Sequence, residues 1–162
     1  MGVSTDGIIC FGIEIEEDEA PWQEDYEEID DWWLDVNNFQ NPFRNPYDES
    51  GEHDNWIKEK YPNMTDRQIS DTEEVENFFD AKRKWQKENP IPVDLVWHCS
   101  YDYPMFILAV KGTKINASRG YPRRFSLKNI SAEEIKTLTD FCKKYKIEFE
   151  EEPSWILCSM WG

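Results

Sequence analysis

Nine positions near the start of the chain, Gly7 to Ile15, read Gly-Ile-Ile-Cys-Phe-Gly-Ile-Glu-Ile, with apolar residues on both alternating faces as far as Ile13. This pattern predicts a central strand buried on both sides. Gly12 within it predicts a bulge or a close approach of another backbone. The spacing then changes. Trp22, Tyr26, Ile29, Trp32 and Trp33 recur three or four positions apart, which predicts a short helix over about 24–36 with one aromatic and one acidic face. Residues 37–54 hold Asn37, Asn38, Asn41, Pro42, Asn45, Pro46 and Gly51, a loop composition.

Helical spacing returns after Ser70, where Ser70 and Glu73 have the spacing of a capping box. Val75, Phe78, Phe79 and Trp85 supply its apolar stripe, and Pro90 and Pro92 stop it. Val93 to His98 reads as extended. Pro104 to Val110 is apolar on both faces, and Lys111-Gly112-Thr113 predicts a turn into a hairpin partner over 114–118. Ser131 and Glu134 again have capping-box spacing, with Ile130 placed to staple onto Ile135 and a stripe of Ile135, Leu138, Cys142 and Tyr145. Two short strands are expected at Ile147 to Phe149 and Trp155 to Met160. Together these elements predict an α+β fold: a mainly antiparallel sheet of about five strands with two or three helices packed on one face. We expect one domain over 1–162, with the acidic, aromatic-rich segment 14–54 as a flap or insertion.

Charge changes this picture more than any other property. Residues 1–54 carry 17 Asp/Glu and one basic residue, Arg44, whereas residues 55–162 carry 17 acidic and 17 basic residues. The net charge of −16 therefore resides in the first third, and 11 carboxylates fall within the 18 positions from Glu14 to Asp31. Carboxylates this dense repel one another and call for water, cations or a basic partner. The 8 Trp, 7 Tyr and 9 Phe argue against an acidic disordered chain. The acidity disfavours direct binding to nucleic acid or an anionic membrane. The sequence has no apolar run near the roughly 20 residues of a membrane helix. The first residues, Met1 to Asp6, lack the basic start and apolar core of a signal peptide, and the four cysteines are scattered. A cytoplasmic protein with reduced thiols is expected.

Three groups of residues are candidates for chemistry or binding. In the first, Glu17, Asp18, Glu24, Asp25, Glu28 and Asp31 would steer and pair with a basic protein while Trp22, Trp32 and Trp33 anchor it. The density of negative charge also approaches that of a nucleic acid backbone, so the segment could occupy a basic groove as a mimic. The competing expectation is that its aromatics join the chain's own core. In the second, Trp97, His98 and Asp102, with Arg119, Tyr121, Arg123 and Arg124, would form a site for a small anionic, nucleotide-like ligand: arginines on phosphate, an aromatic on the base. In the third, His98 or Cys99 would serve a hydrolase; adjacent residues of an extended strand point to opposite faces, so the two cannot act as a dyad there. Metal binding finds no proper spacing. Asp48, Glu49, Glu52, His53 and Asp54 miss the EF-hand pattern, and Cys10, His98, Cys99 and Cys158 lack any Cys-x-x-Cys. No metal or cofactor is expected.

The strings His98-Cys99-Ser100-Tyr101-Asp102-Tyr103-Pro104-Met105 and Ala117-Ser118-Arg119-Gly120-Tyr121-Pro122, with the opening Ser4-Thr5-Asp6-Gly7-Ile8 leading to Gly12, resemble a loosely defined group of small phage-encoded proteins of unassigned function. The resemblance implies a viral accessory protein expressed in a bacterial cytoplasm and brings no catalytic assignment. The function expected is a non-enzymatic acidic protein that binds and inhibits a basic host or defence protein. The alternative is the small-ligand binder.

Overall fold

The computed structural model describes residues 5–15, 20–22, 29–46, 56–100, 102 and 104–161. The chain divides into two compact units, one of residues 1–32 and 91–162 and the other of residues 33–90.

The first unit is α+β. Its strands are β1 (Thr5–Ile15), β2 (Val93–Ser100), β3 (Pro104–Val110), β4 (Ile115–Ala117) and β5 (Ser154–Trp161). Strand β1 pairs antiparallel with β5 from Thr5 to Gly12 and with β3 from Gly12 to Ile15. Strand β2 pairs antiparallel with β3, and its last residues, Cys99 and Ser100, meet Met160 and Trp161 of β5 in parallel. The pairings β1–β3–β2–β5–β1 thus close on themselves, with β4 added on β1. Three antiparallel joints and one parallel joint describe strands that cross, because an up-and-down barrel closes on an even number of reversals.

Register explains the core. Ile8 and Cys10 of β1, Val96 of β2, and Ile107 and Ala109 of β3 form one buried cluster, against which Ile156, Cys158 and Met160 of β5 pack. All four strands of the closed circuit contribute alternate residues, so this cluster is the interior. Gly12 leaves no room for a side chain: a Cβ there would lie 2.3 Å from the Leu108 carbonyl oxygen and 2.9 Å from Ala109 Cα. The expected close approach is therefore present, and it sets how near β1 and β3 can come.

Helix α5 (Ala132–Tyr145) covers the opposite face of β2 and β3. Ser131 and Glu134 form its capping box, and Leu138, Phe141 and Cys142 are buried. The aromatics expected to anchor a partner lie here. Trp22 packs edge-on against Phe106 of β3, and Trp32 packs against Trp22, Phe141 and Tyr145. Trp22 and Trp32 are 1% and 3% exposed. Burying such side chains stabilises by roughly 2–3 kcal/mol each, with about another 1 kcal/mol for a well-set aromatic pair.

The second unit is helical. Helix α1 (Ile29–Val36) runs across the division between Trp32 and Trp33; then come α2 (Trp56–Lys60), α3 (Asp66–Ser70) and α4 (Glu73–Glu88). Ile57, Ile69 and Val75 form its buried cluster, with Trp56, Tyr61 and Phe79 against them. Trp33 is buried too, and its indole N–H donates to the Asn89 carbonyl at 2.8 Å.

Three sequence expectations change. Residues 111–114 do not turn β3 back into a hairpin. Strands β3 and β4 both pair with β1 in the same sense, Gly12 opposite Ala109 and Ile9 opposite Ile115, so they form one broken strand with a three-residue offset. Thr113 fills the gap: its hydroxyl accepts from the Phe11 N–H at 3.2 Å and donates to the Val110 carbonyl at 2.6 Å. Ser70 lies at the end of α3 and donates to the Asp66 carbonyl; the capping box is that of Thr65 with Gln68, at the start of α3. Residues 147–149 form no strand, because the Ile147 N–H is used on the Cys142 carbonyl to finish α5.

Candidate cleft beside Glu14 and His98

The interior positions of β1 run Ile8, Cys10, Gly12, Glu14, and those of β2 run Val96, His98. Along both strands the apolar interior gives way to an ionisable side chain. A cleft of about 720 Å³ opens there. It is lined by Gly12–Ile15 of β1, by Cys99, Pro104 and Met105 around the β2–β3 turn, by Phe149–Glu152, and by Ser154–Ile156 of β5. Among the described residues, four carboxylates, Glu14, Glu150, Glu151 and Glu152, stand in this lining with no basic side chain.

His98 lies behind Glu14. The residue is 7% exposed, and its Nε2 is 3.8 Å from Glu14 Oε1, beyond hydrogen-bond length. Among the described residues, Nε2 has no hydrogen-bond partner. A buried polar atom left unpaired costs about 1–3 kcal/mol, and native proteins hold few of them. Burial pushes the His98 imidazole below its usual range, against the smaller upward pull of the Glu14 carboxylate. The imidazole is accordingly neutral near pH 7.

Cys99 has φ +72°, the left-handed region that a non-glycine residue enters at a cost of about 1–2 kcal/mol. This interrupts the simple alternation expected of an extended strand. The thiols of the interior are not nucleophiles at neutral pH. Burial, then Cys158, pushes Cys10 up to about 12, and burial, then the Glu14 carboxylate, pushes Cys158 upward. Among the described residues, no group of His, Cys, Asp and Glu side chains has metal-binding geometry.

The sequence-predicted residues are placed as follows. Trp22, Trp32 and Trp33 are core residues, so a partner cannot use them without unfolding the chain; this corrects the anchor role expected of them. Asp31 is exposed on α1. Glu17, Asp18, Glu24, Asp25 and Glu28 lie outside the described residues, as does the acidic run 48–54. The nucleotide-type set is not brought together. Trp97 points to the face opposite His98, with its ring on Phe106. Arg119, Tyr121, Arg123 and Arg124 follow β4 in an exposed stretch that lines no part of the cleft. There, Arg119 N–H donates to Asp6 Oδ1 and the Arg123 guanidinium to the Asn116 carbonyl. Asp102 is exposed in the turn after β2.

Glu14 and Glu150–Glu152 are the site residues that sequence reasoning passed over. Glu14 was legible as the one charge within the apolar run Gly7 to Ile15. The Glu150–Glu152 run gave no sign of its neighbour, since only the β1–β5 pairing brings position 152 beside position 14. Among the described residues, no helix is long and apolar enough to cross a membrane. In comparisons with known proteins, no family model, curated protein or solved structure matches the chain.

Proposed function

We propose that this chain is a non-enzymatic binding protein that captures a basic protein through its acidic surface. The observation that supports the reading is the cleft: among the described residues its lining holds four carboxylates and no cationic side chain, in a unit whose first strand runs on in sequence from Ile15 into Glu16-Glu17-Asp18-Glu19. Like charges held together in this way are stabilised by an incoming cation, and they raise the rate of encounter with a positively charged surface. The resemblance to small phage-encoded proteins extends the proposal: the partner is a host or defence protein of the bacterial cytoplasm, inhibited when the acidic surface occupies a groove meant for nucleic acid. With the tryptophans buried, carboxylates rather than aromatic anchors carry the interaction.

The test is capture from a bacterial lysate at low and high salt. It compares the full chain with a variant in which Glu17, Asp18, Glu24 and Asp25 are replaced by Gln and Asn. A basic protein retained by the full chain, released by salt and lost by the variant is the expected result. The same proteins retained by both chains, at either salt, would remove the reading.

A further inference from the structure

We propose that the outer face of β4, β1 and β5 is a dimer interface, covered by the same face of a second copy of this chain about a two-fold axis. The inference is independent of the basic partner proposed above.

The face follows from register. Ile8, Cys10, Ile156, Cys158 and Met160 turn to the interior, so the residues between them turn outward. Ile115, Ile9 and Leu157 are directly paired and lie abreast across the three strands, with Trp155 and Trp161 on the same side of β5. Helix α5 packs on β3 and β2. Here, by contrast, Leu157 is 78% exposed and Trp161 54%. From Thr5 to Phe11 of β1, the outward positions and their partners on β4 and β5 include no Asp, Glu, Lys or Arg. The chain as a whole is 32% charged, so an open, uncharged sheet face marks an interaction surface.

Charge at the two ends of the face selects the occupant. At the Ser154 end, β5 is preceded by the exposed Glu150, Glu151 and Glu152. At the Trp161 end, β4 leads into the exposed Arg119, Arg123 and Arg124. The Arg119 N–H donates to Asp6 Oδ1 and the Arg123 guanidinium to the Asn116 carbonyl, which keeps this stretch near the Thr5–Trp161 pairing. A two-fold axis through the row of Ile9 and Leu157 lays the basic end of each copy over the acidic end of the other. The face is then complementary to itself in charge as well as in apolar character. A net charge of −16 makes acidic surfaces of two copies repel, and this face escapes that repulsion. Area adds a condition. The 8 residues of β5 span about 25 Å and three strands about 15 Å, so two such faces bury roughly 700 Å². A stable interface buries more than about 1,000 Å², so the charged ends must contribute.

The test is sedimentation of the full chain over a range of concentrations, beside three variants at exposed positions whose circular dichroism is matched to the parent's. Leu157→Glu puts a charge in the middle of the face. Arg123→Glu with Arg124→Glu reverses the basic end, and Glu151→Arg with Glu152→Arg reverses the acidic end. The full chain should dimerise, and each variant should weaken the dimer by at least about tenfold. Mixing the two charge-reversed variants should restore dimers, because each altered end then meets its opposite. A full chain that is monomeric at every concentration would overturn the inference and leave the face to a different protein. A dimer untouched by Leu157→Glu would place the interface elsewhere and overturn it as well. Charge-reversed variants that stay apart when mixed would overturn the two-fold arrangement.

Discussion

In the sheet unit, residues in contact are often about a hundred positions apart. Phe11 is bonded by Thr113, Gly12 lies against Leu108, and β1 pairs with β5 from the far end of the chain. In the helical unit, most ties are short. Thr65 caps with Gln68, Thr72 bonds Ile69, and Tyr61 and Lys60 reach Glu74. Trp33 to Asn89 and Asn41 to Phe78 are its longer stitches. The sheet unit buries a larger set of apolar residues, but each depends on register with strands elsewhere in sequence. The helical unit has a small cluster of Ile57, Ile69 and Val75, held by elements that signal themselves locally. The candidate site lies in the non-local unit, where the surrounding ladders hold a buried His98 whose Nε2 has no hydrogen-bond partner among the described residues.

The sharpest way to break this contrast is at Gly12. A methyl group there meets backbone atoms of β3, which have no rotamer to retreat into. Gly12→Ala should destabilise the sheet unit by about 3 kcal/mol. Hydrogen exchange should show protection falling across β1, β3 and β5 and holding in α4. An equal loss in α4 would show that the two units unfold as one.

A smaller effect is expected from the helical unit. Thr65→Ala removes one half of a reciprocal cap and should cost about 1 kcal/mol. The loss should appear in the exchange rates of α3 and leave those of β1 unchanged. An effect spread through the sheet would contradict the local character assigned to this unit.

The smallest effect concerns pH. The His98 imidazole is held below its ordinary value of 6.5, so between the two values the unfolded chain binds more protons than the folded one. Its contribution to stability is therefore present above about pH 6.5 and is lost as pH falls through the folded value. Glu14→Gln removes the carboxylate that pulls the imidazole upward, so the NMR titration midpoint of His98 should fall further in that variant. A midpoint unchanged by the substitution would show that the two side chains are not electrically coupled.

Much of the secondary structure was legible because its signals are local. The apolar run of β1, the Ser131–Glu134 box of α5 and the extended runs of β2, β3 and β5 all appear where the pattern placed them. The errors arose where a local motif had a non-local competitor. Lys111-Gly112-Thr113 reads as a hairpin turn, yet β1 offered β4 a partner along the same edge as β3. Trp22 and Trp32 read equally well as surface anchors or as core, and nothing in their spacing distinguishes the two.

The sequence by itself determined the α+β class, the position of most helices and strands, and the confinement of the net charge to residues 1–54. These follow from periodicity, capping chemistry and composition, which act over a few residues. Only the tertiary structure decided that the strand pairings close on themselves, that Trp22, Trp32 and Trp33 are buried, and that Glu14 and Glu150–Glu152 share one cleft. Those outcomes depend on register between segments tens to over a hundred positions apart. A one-residue slip in pairing would turn each of these side chains to the other face.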